Sequence, residues 1–227
     1  MKQIFTILIA FTLTNCTTKE DKPEEIIEEQ LPTSNYSKIQ HLFKDISPDS
    51  FYVYSDWSID KKDFAFKGIM MDSSQISILP YGWIDHYSWN KDFGACYKFP
   101  LDSTCIALIA RVSGEYVSSA LKLFVFDLQK DSITYTINLA DTWGDAGESS
   151  KYSSCLFNEK NKNLTIVTYS GGTYDHRVGD EENDTIIENW NYYYLYKLSN
   201  NILDTISKDS SEIVNRYPTI MAKLIKL

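Results

Sequence analysis

The spacing of apolar and polar positions divides the chain into a short helical start, a long succession of strands and a short helical end. Ile39, Leu42, Phe43 and Ile46 recur at the interval of one helix face. Ser34, Asn35 or Ser37 can serve as N-cap, and Ser47-Pro48-Asp49 as the stop. From Phe51 to Ile206 the pattern is that of strands. Residues 51–54, 64–70 and 75–79 are short β-branched or aromatic runs between Asp, Ser, Lys or Pro clusters, and residues 82–89 alternate large with polar side chains. No long helical period interrupts them, which argues against a parallel βαβ architecture. Near the end, Asp209 and Glu212 have the spacing of a capping box. It opens a helix through Ile213, Val214 and Tyr217 that Pro218 halts, and residues 219–227 are apolar enough to pack back onto the domain.

Within the strands lies a weak internal duplication. The first copy runs through residues 96–99, 105–112, 122–128 and 132–137; the second through 155–157, 164–169, 192–198 and 202–206. The second copy carries the longer connection between its middle strands. Each reads as a four-stranded antiparallel meander, giving two similar units near residues 95–138 and 153–207. The expected fold is mainly β, an antiparallel meander forming a sandwich or barrel with a short N-terminal and a short C-terminal helix. The alternative is a small propeller-like arrangement of four-stranded sheets, but a propeller needs at least four blades, and about three such sets fit here.

The chain opens with Lys2, an apolar run over residues 4–13 and the ending Leu13-Thr14-Asn15-Cys16. This has the build of a secretory signal peptide, too short for the roughly 20 apolar residues of a membrane-spanning helix. The Leu-x-x-Cys ending resembles the lipobox of bacterial lipoproteins, although Asn15 stands where Gly, Ala or Ser is usual. The resemblance covers only the export segment. It implies that Cys16 is diacylated on sulfur and becomes the new N-terminus, and two or more acyl chains anchor a protein stably. Thr17-Thr18-Lys19-Glu20-Asp21 is similar to the surface-export signal of Bacteroidota lipoproteins. The expected organisation is a signal peptide at 1–15, a lipidated flexible tether at 16–33, charged and poor in apolar residues, and one β-rich domain at 34–227. The expected location is the bacterial outer membrane, lipid-anchored at the cell surface, with the periplasmic face as alternative.

Charge and composition narrow the partners. A formal charge of −9 over 227 residues excludes nucleic acid, whose phosphates require clustered Lys and Arg. It also leaves membrane attachment to the lipid. With Cys16 acylated, Cys96, Cys105 and Cys155 remain. They are expected to be buried thiols, with a Cys96–Cys105 bridge across a hairpin as the alternative, and none has zinc-site spacing.

Catalytic signatures are missing: there is no Gly-x-Ser-x-Gly, no phosphate-binding glycine loop and no His-Glu-x-x-His. Of the three histidines, His86 follows Asp85 and His176 follows Asp175, but strand neighbours point to opposite faces. The chain is therefore expected to be no enzyme, with no catalytic residues and no cofactor. Residues 141–148 and 180–184 are acidic but lack the ligand spacing of an EF-hand, so no metal is assigned. A calcium-binding domain or an unrecognised hydrolase stays as a further alternative.

Ser170-Gly171-Gly172-Thr173-Tyr174, and Ser113-Gly114-Glu115-Tyr116 in the first copy, read as turns after strands. They resemble the Ser-Gly-x-x-Tyr and Ser-Gly-x-Tyr signatures of bacterial lysozyme inhibitors. That resemblance implies that Ser113 and Tyr116, or Ser170 and Tyr174, enter a cleft built on paired carboxylates. Trp83, Trp89, Trp143 and Trp190 are the candidate surface aromatics, since such side chains dominate binding interfaces. The leading expectation is a lipid-anchored envelope or cell-surface binding protein for a protein or glycan ligand.

Overall fold

A computed structural model describes residues 33–56, 63–80, 93–113, 120–145, 147–158, 163–176, 186–199 and 202–227. Among the described residues eleven strands are hydrogen-bonded together, nine in one continuous path and two more paired to its members. The first copy of the duplication gives β4 (Gly94–Pro100), β5 (Cys105–Val112), β6 (Ala120–Asp127) and β7 (Ser132–Asp145). The second gives β8 (Glu148–Asn158), β9 (Leu164–Asp175), β10 (Ile187–Ser199) and β11 (Ile202–Ser207). All eight are antiparallel in chain order, and the path is open between its edges. Both meanders are thus present, but they are two sheets joined in one continuous path through β7 rather than separate blades, and the path is not closed into a barrel.

The fold turns on β7. Through Ala140 it pairs with β6; from Asp141 to Asp145 it pairs with β8. Beyond that exchange β8 takes a different partner, β2 (Phe51–Tyr54), along Ser153–Leu156. A strand that changes sheets makes a sandwich corner. The buried Ser154 hydroxyl seals it, donating to the Leu139 carbonyl oxygen at 2.6 Å and lying 3.1 Å from the Thr168 hydroxyl.

Alternate residues of the strands then fill separate cores. Ala107, Ile109, Leu121, Leu123 and Val125 meet Leu156, Ile166 and Leu198 between the two sheets. The intervening Leu108, Ala110, Phe124 and Phe126 face outward, under Ile39, Leu42, Phe43, Met71 and Ile76. On the far side, Cys155, Val167 and Leu195 lie under Ile213, Met221 and Leu224. The layers run helix, sheet, sheet, helix, and residues 33–227 cluster as one unit. Burial on both faces is why β5 and β6 read as nearly continuous apolar runs, interrupted by Arg111, Lys122 and Asp127, rather than alternating ones.

Several expected elements change where local chemistry overrides the apolar pattern. The first helix, α1 (Asn35–Ile39), is capped by Ser34 but passes into a 3-10 turn at Gln40–Leu42 and ends well before Pro48. Lys44–Asp45 (β1) then extends in parallel beside β4, held by the Ile46 amide donating to the Lys98 carbonyl at 3.0 Å. Residues 75–79 are not a strand. Asp72 and Gln75 form a reciprocal capping box that starts α2 (Ser73–Ile76). Of residues 64–70 only Ile69–Met70 (β3) pairs, because Gly68 turns the chain at φ 70° and an added Cβ there would lie 2.8 Å from the Ala95 carbonyl oxygen. Phe64 and Phe66 instead enter an edge-to-face aromatic group with Phe51, Tyr54 and Tyr97. The strand expected at 82–89 lies outside the described residues. At the end, Asp209 accepts from the Glu212 amide and starts α3 (Ser210–Arg216); Pro218 ends it but also occupies the first turn of a further helix, α4 (Pro218–Leu224).

Cys96, Cys105 and Cys155 are buried and not disulfide-bonded. Cys105 stands opposite Asp127 of β6, and Cys96 sits in the irregularity of β4 between Ala95 and Tyr97, so the two do not face each other across the hairpin. Burial pushes the thiols of Cys96 and Cys155 up to about 12. In the native protein these thiols should not react with a thiol reagent at mildly alkaline pH, and all three should react once guanidinium unfolds the chain. Ser154→Ala strands the Leu139 carbonyl at the corner and should lower the denaturant-derived stability by about 1–3 kcal/mol.

Candidate functional site

Past the corner, residues 141–145, 148–152, 170–175 and 187–192 continue β7, β8, β9 and β10 as a four-stranded limb. Residues directly opposite each other share a face, and so do residues two apart. Asp145, Glu148, Tyr174 and Glu188 form one row. Trp143, Ser150, Gly172 and Trp190 form the next, and Asp141, Tyr152, Ser170 and Tyr192 the third. All three rows lie on the inner side, the one that faces the inter-sheet core further along through Leu156 and Ile166. The rows between them lie on the outer side.

The pair Gly171-Gly172 is explained by space, not by a turn. Neither glycine has a positive φ, and both sit inside β9. A Cβ on Gly172 would collide with the Trp190 indole and with the Ser149 carbonyl oxygen, and one on Gly171 with the Tyr169 phenol. Each glycine therefore makes room for a ring laid along the sheet, Trp190 on the inner face and Tyr169 on the outer. The Tyr169 hydroxyl donates to Asn191 Oδ1 at 2.6 Å, which fixes the ring in place.

This geometry sorts the candidates from the sequence. Trp143 and Trp190 share a row, and Ser170 and Tyr174 lie on the same face beside them. The reading of residues 170–174 as a turn is corrected: they are paired on both sides, and a cleft-inserting loop is not what this segment forms. Ser113 is buried at the end of β5, in the first sheet. Cys16, Trp83, Trp89 and Tyr116 lie outside the described residues, as do residues 180–184. The acidic stretch 141–148 is a hairpin rather than a cation loop. Gly147, at φ 90°, turns it, and Asp145 pairs opposite Glu148. Among the described residues no group of three His, Cys, Asp or Glu side chains is placed to hold a metal ion. His176 packs edge-on against the Tyr174 ring, 4.4 Å between centroids, with Nε2 3.6 Å from Glu188 Oε1 across the β9–β10 hairpin.

The outer face carries a hollow of about 540 Å³ that the sequence reading missed. Ser149, Lys151, Thr173, Asn189 and Asn191 line its floor, and Tyr169 and Ile225 bound it. Ile225 follows α4, whose end is pinned by the buried Ser153 hydroxyl donating to the Leu224 carbonyl at 3.2 Å. Lys223 lies 3.7 Å over the Tyr52 ring. The Ser149 and Thr173 hydroxyls are 2.8 Å apart. Partial burial lowers the Lys151 ammonium from its ordinary range, against the opposing pull of the Asp56 carboxylate. The signal for these residues was the two-residue period of 169, 171 and 173 against 189 and 191, which appears only once residues 170–174 are known to be a strand.

No protein-family description, curated protein or solved structure matches the chain. Gly172→Ala should cost about 1–3 kcal/mol of stability, since both obstacles cannot yield cheaply, and should shift the tryptophan emission as Trp190 is displaced.

Proposed function

We propose that this chain is a binding protein of the bacterial envelope, held at the outer membrane and facing the cell surface through lipid on Cys16, and that the limb of β7–β10 meets its ligand. The observation that carries the reading is the row Trp143, Ser150, Gly172, Trp190. Two half-exposed indoles stand on one face of a rigid sheet with only small side chains between them. Rigid aromatics of this kind supply most of the energy at binding surfaces, because they bury a large area for little conformational entropy. Rigidity matters as much as area. A row fixed by a β ladder is already in its bound shape, which reduces the cost of association.

The neighbouring rows add Asp145, Glu148 and Glu188, so the face is aromatic and acidic. Together with the formal charge of −9, this excludes a polyanionic ligand on that side. The lipid supplies membrane attachment, since the acidic chain offers no electrostatic attraction to anionic headgroups.

The anchor and the limb are tested separately. Mass spectrometry of the mature protein from a lipoprotein-processing host should find the chain starting at an acylated Cys16; an unmodified thiol there, or retention of residues 1–15, sinks the anchoring. Residues 33–227, which hold all three cores, should co-sediment with isolated envelope material. The double variant Trp143→Ala/Trp190→Ala should lose most of that retention while keeping its circular dichroism. Equal retention of variant and parent rules out the aromatic row as the contact.

A further inference from the structure

We infer that the hollow on the outer face of the limb binds a neutral oligosaccharide, with one sugar ring against Tyr169 and its hydroxyls held by Asn189, Asn191, Ser149 and Thr173. The assignment rests on the binding-protein reading and names the chemistry of a second contact on the same limb.

Four observations select this class of ligand. The first is size: about 540 Å³ falls within the roughly 300–1,000 Å³ of sites for small molecules and short oligomers. The second is the character of the floor. Hydroxyls and carboxamides each both donate and accept hydrogen bonds, which matches a polyol, whose every hydroxyl does the same. An apolar ligand would cover the Asn189 carboxamide and the Asn191 N–H donors without satisfying them, at a cost of about 1–3 kcal/mol for each group so stranded, whereas a polyol can bond to both and to the Ser149–Thr173 hydroxyl pair as well.

The third observation is the ring. Tyr169 lies along the sheet over Gly171, tied to Asn191 Oδ1 at 2.6 Å. With that oxygen engaged, the Asn191 amide presents its N–H donors. A pyranose offers the complementary pair, an apolar C–H face for the aromatic and equatorial hydroxyls for the amides. Both partners are fixed before the ligand arrives, so little ordering is left to be done on binding.

The fourth observation concerns alternatives. The middle of the floor is formed by β8 and β9, which are paired on both sides, and among the described residues β10 pairs with β9 alone at Asn189 and Asn191. The β8 and β9 backbone groups are engaged in the ladder, so an extended peptide lying in the hollow cannot pair with those two strands. The cation lining the hollow is Lys151, which lies in the field of the Asp56 carboxylate. A uronate or a phosphate would have to compete with that carboxylate.

The test is an array of hexasaccharides with the full lipidated chain, solubilised in a detergent without a sugar headgroup. The neutral members are β-1,4-glucan, α-1,4-glucan, β-1,4-mannan, β-1,4-xylan and chitohexaose; the charged members are a polyuronate and a sulfated glucan. Calorimetry follows on any that bind. At least one neutral member should bind, and Tyr169→Ala should weaken it by about tenfold or more, in line with an aromatic contact plus a hydrogen bond. Asn189→Ala, at an exposed position, should weaken it several-fold and keeps the test independent of folding. Tyr135→Ala, an exposed tyrosine of the first sheet, should leave the affinity unchanged.

Binding of the charged members only, with loss on Lys151→Met, overturns neutrality and assigns the hollow to an anion. Binding that ignores both Tyr169 and Asn189 overturns the site. If no sugar binds while residues 33–227 still co-sediment with envelope material, the oligosaccharide assignment falls and the binding-protein reading stands. If neither occurs, both fall.

Discussion

The exchange of partners along β7 is the constraint on which the rest of the structure depends. One strand of 14 residues serves two sheets, pairing with β6 up to Ala140 and with β8 from Asp141. A flat continuation would have left eight strands in a single layer with one face of β5 and β6 uncovered. The bend lays the second meander over the first, so that Leu123 and Ile166 share a core. Ser154, a polar group at a buried corner, is tolerated because its hydroxyl is satisfied by Leu139 and stands beside Thr168. The same bend frees the far ends of β7–β10 from the sandwich, and the limb is the result.

Strand identity was legible in the sequence because it rests on local composition. The eight strands of the two copies are visible as β-branched and aromatic runs, but the burial of β5 and β6 on both faces emerges only from the structure. What could not be read was which strands share a sheet. Ala140 and Asp141 carry no signature of a corner, since the bend is decided by packing between residues distant in sequence. Residues 75–79 failed for the opposite reason: Ile76, Ile78 and Leu79 look like a strand, but Asp72 and Gln75 satisfy each other's backbone groups and tip four residues into a helix.

The site was legible in part, by a route that was partly mistaken. Ser170 and Tyr174, expected in a turn, and Trp143 and Trp190, expected as surface aromatics, do converge on one face, but as members of strands. Gly171-Gly172 misled because glycine after an apolar run usually means a turn. Here its meaning is steric. Each glycine yields its Cβ volume to a ring, and the conformational freedom it brings to the unfolded chain is the cost of that arrangement. Lys151, Asn189 and Asn191 carry no signal if the segment is a loop, because only a strand alternates its side chains between two sides.

That alternation joins the fates of the two surfaces. Trp190 and Asn191 are consecutive residues, as are Gly171 and Gly172, so indole shelf and amide floor are printed on the front and back of the same ribbon. Inserting or deleting a single residue in β9 or β10 would transpose the two patterns at once, exchanging ring for amide on every position downstream. A change confined to one surface must therefore proceed by replacing side chains in place, while changes of length belong in the connections outside the ladder.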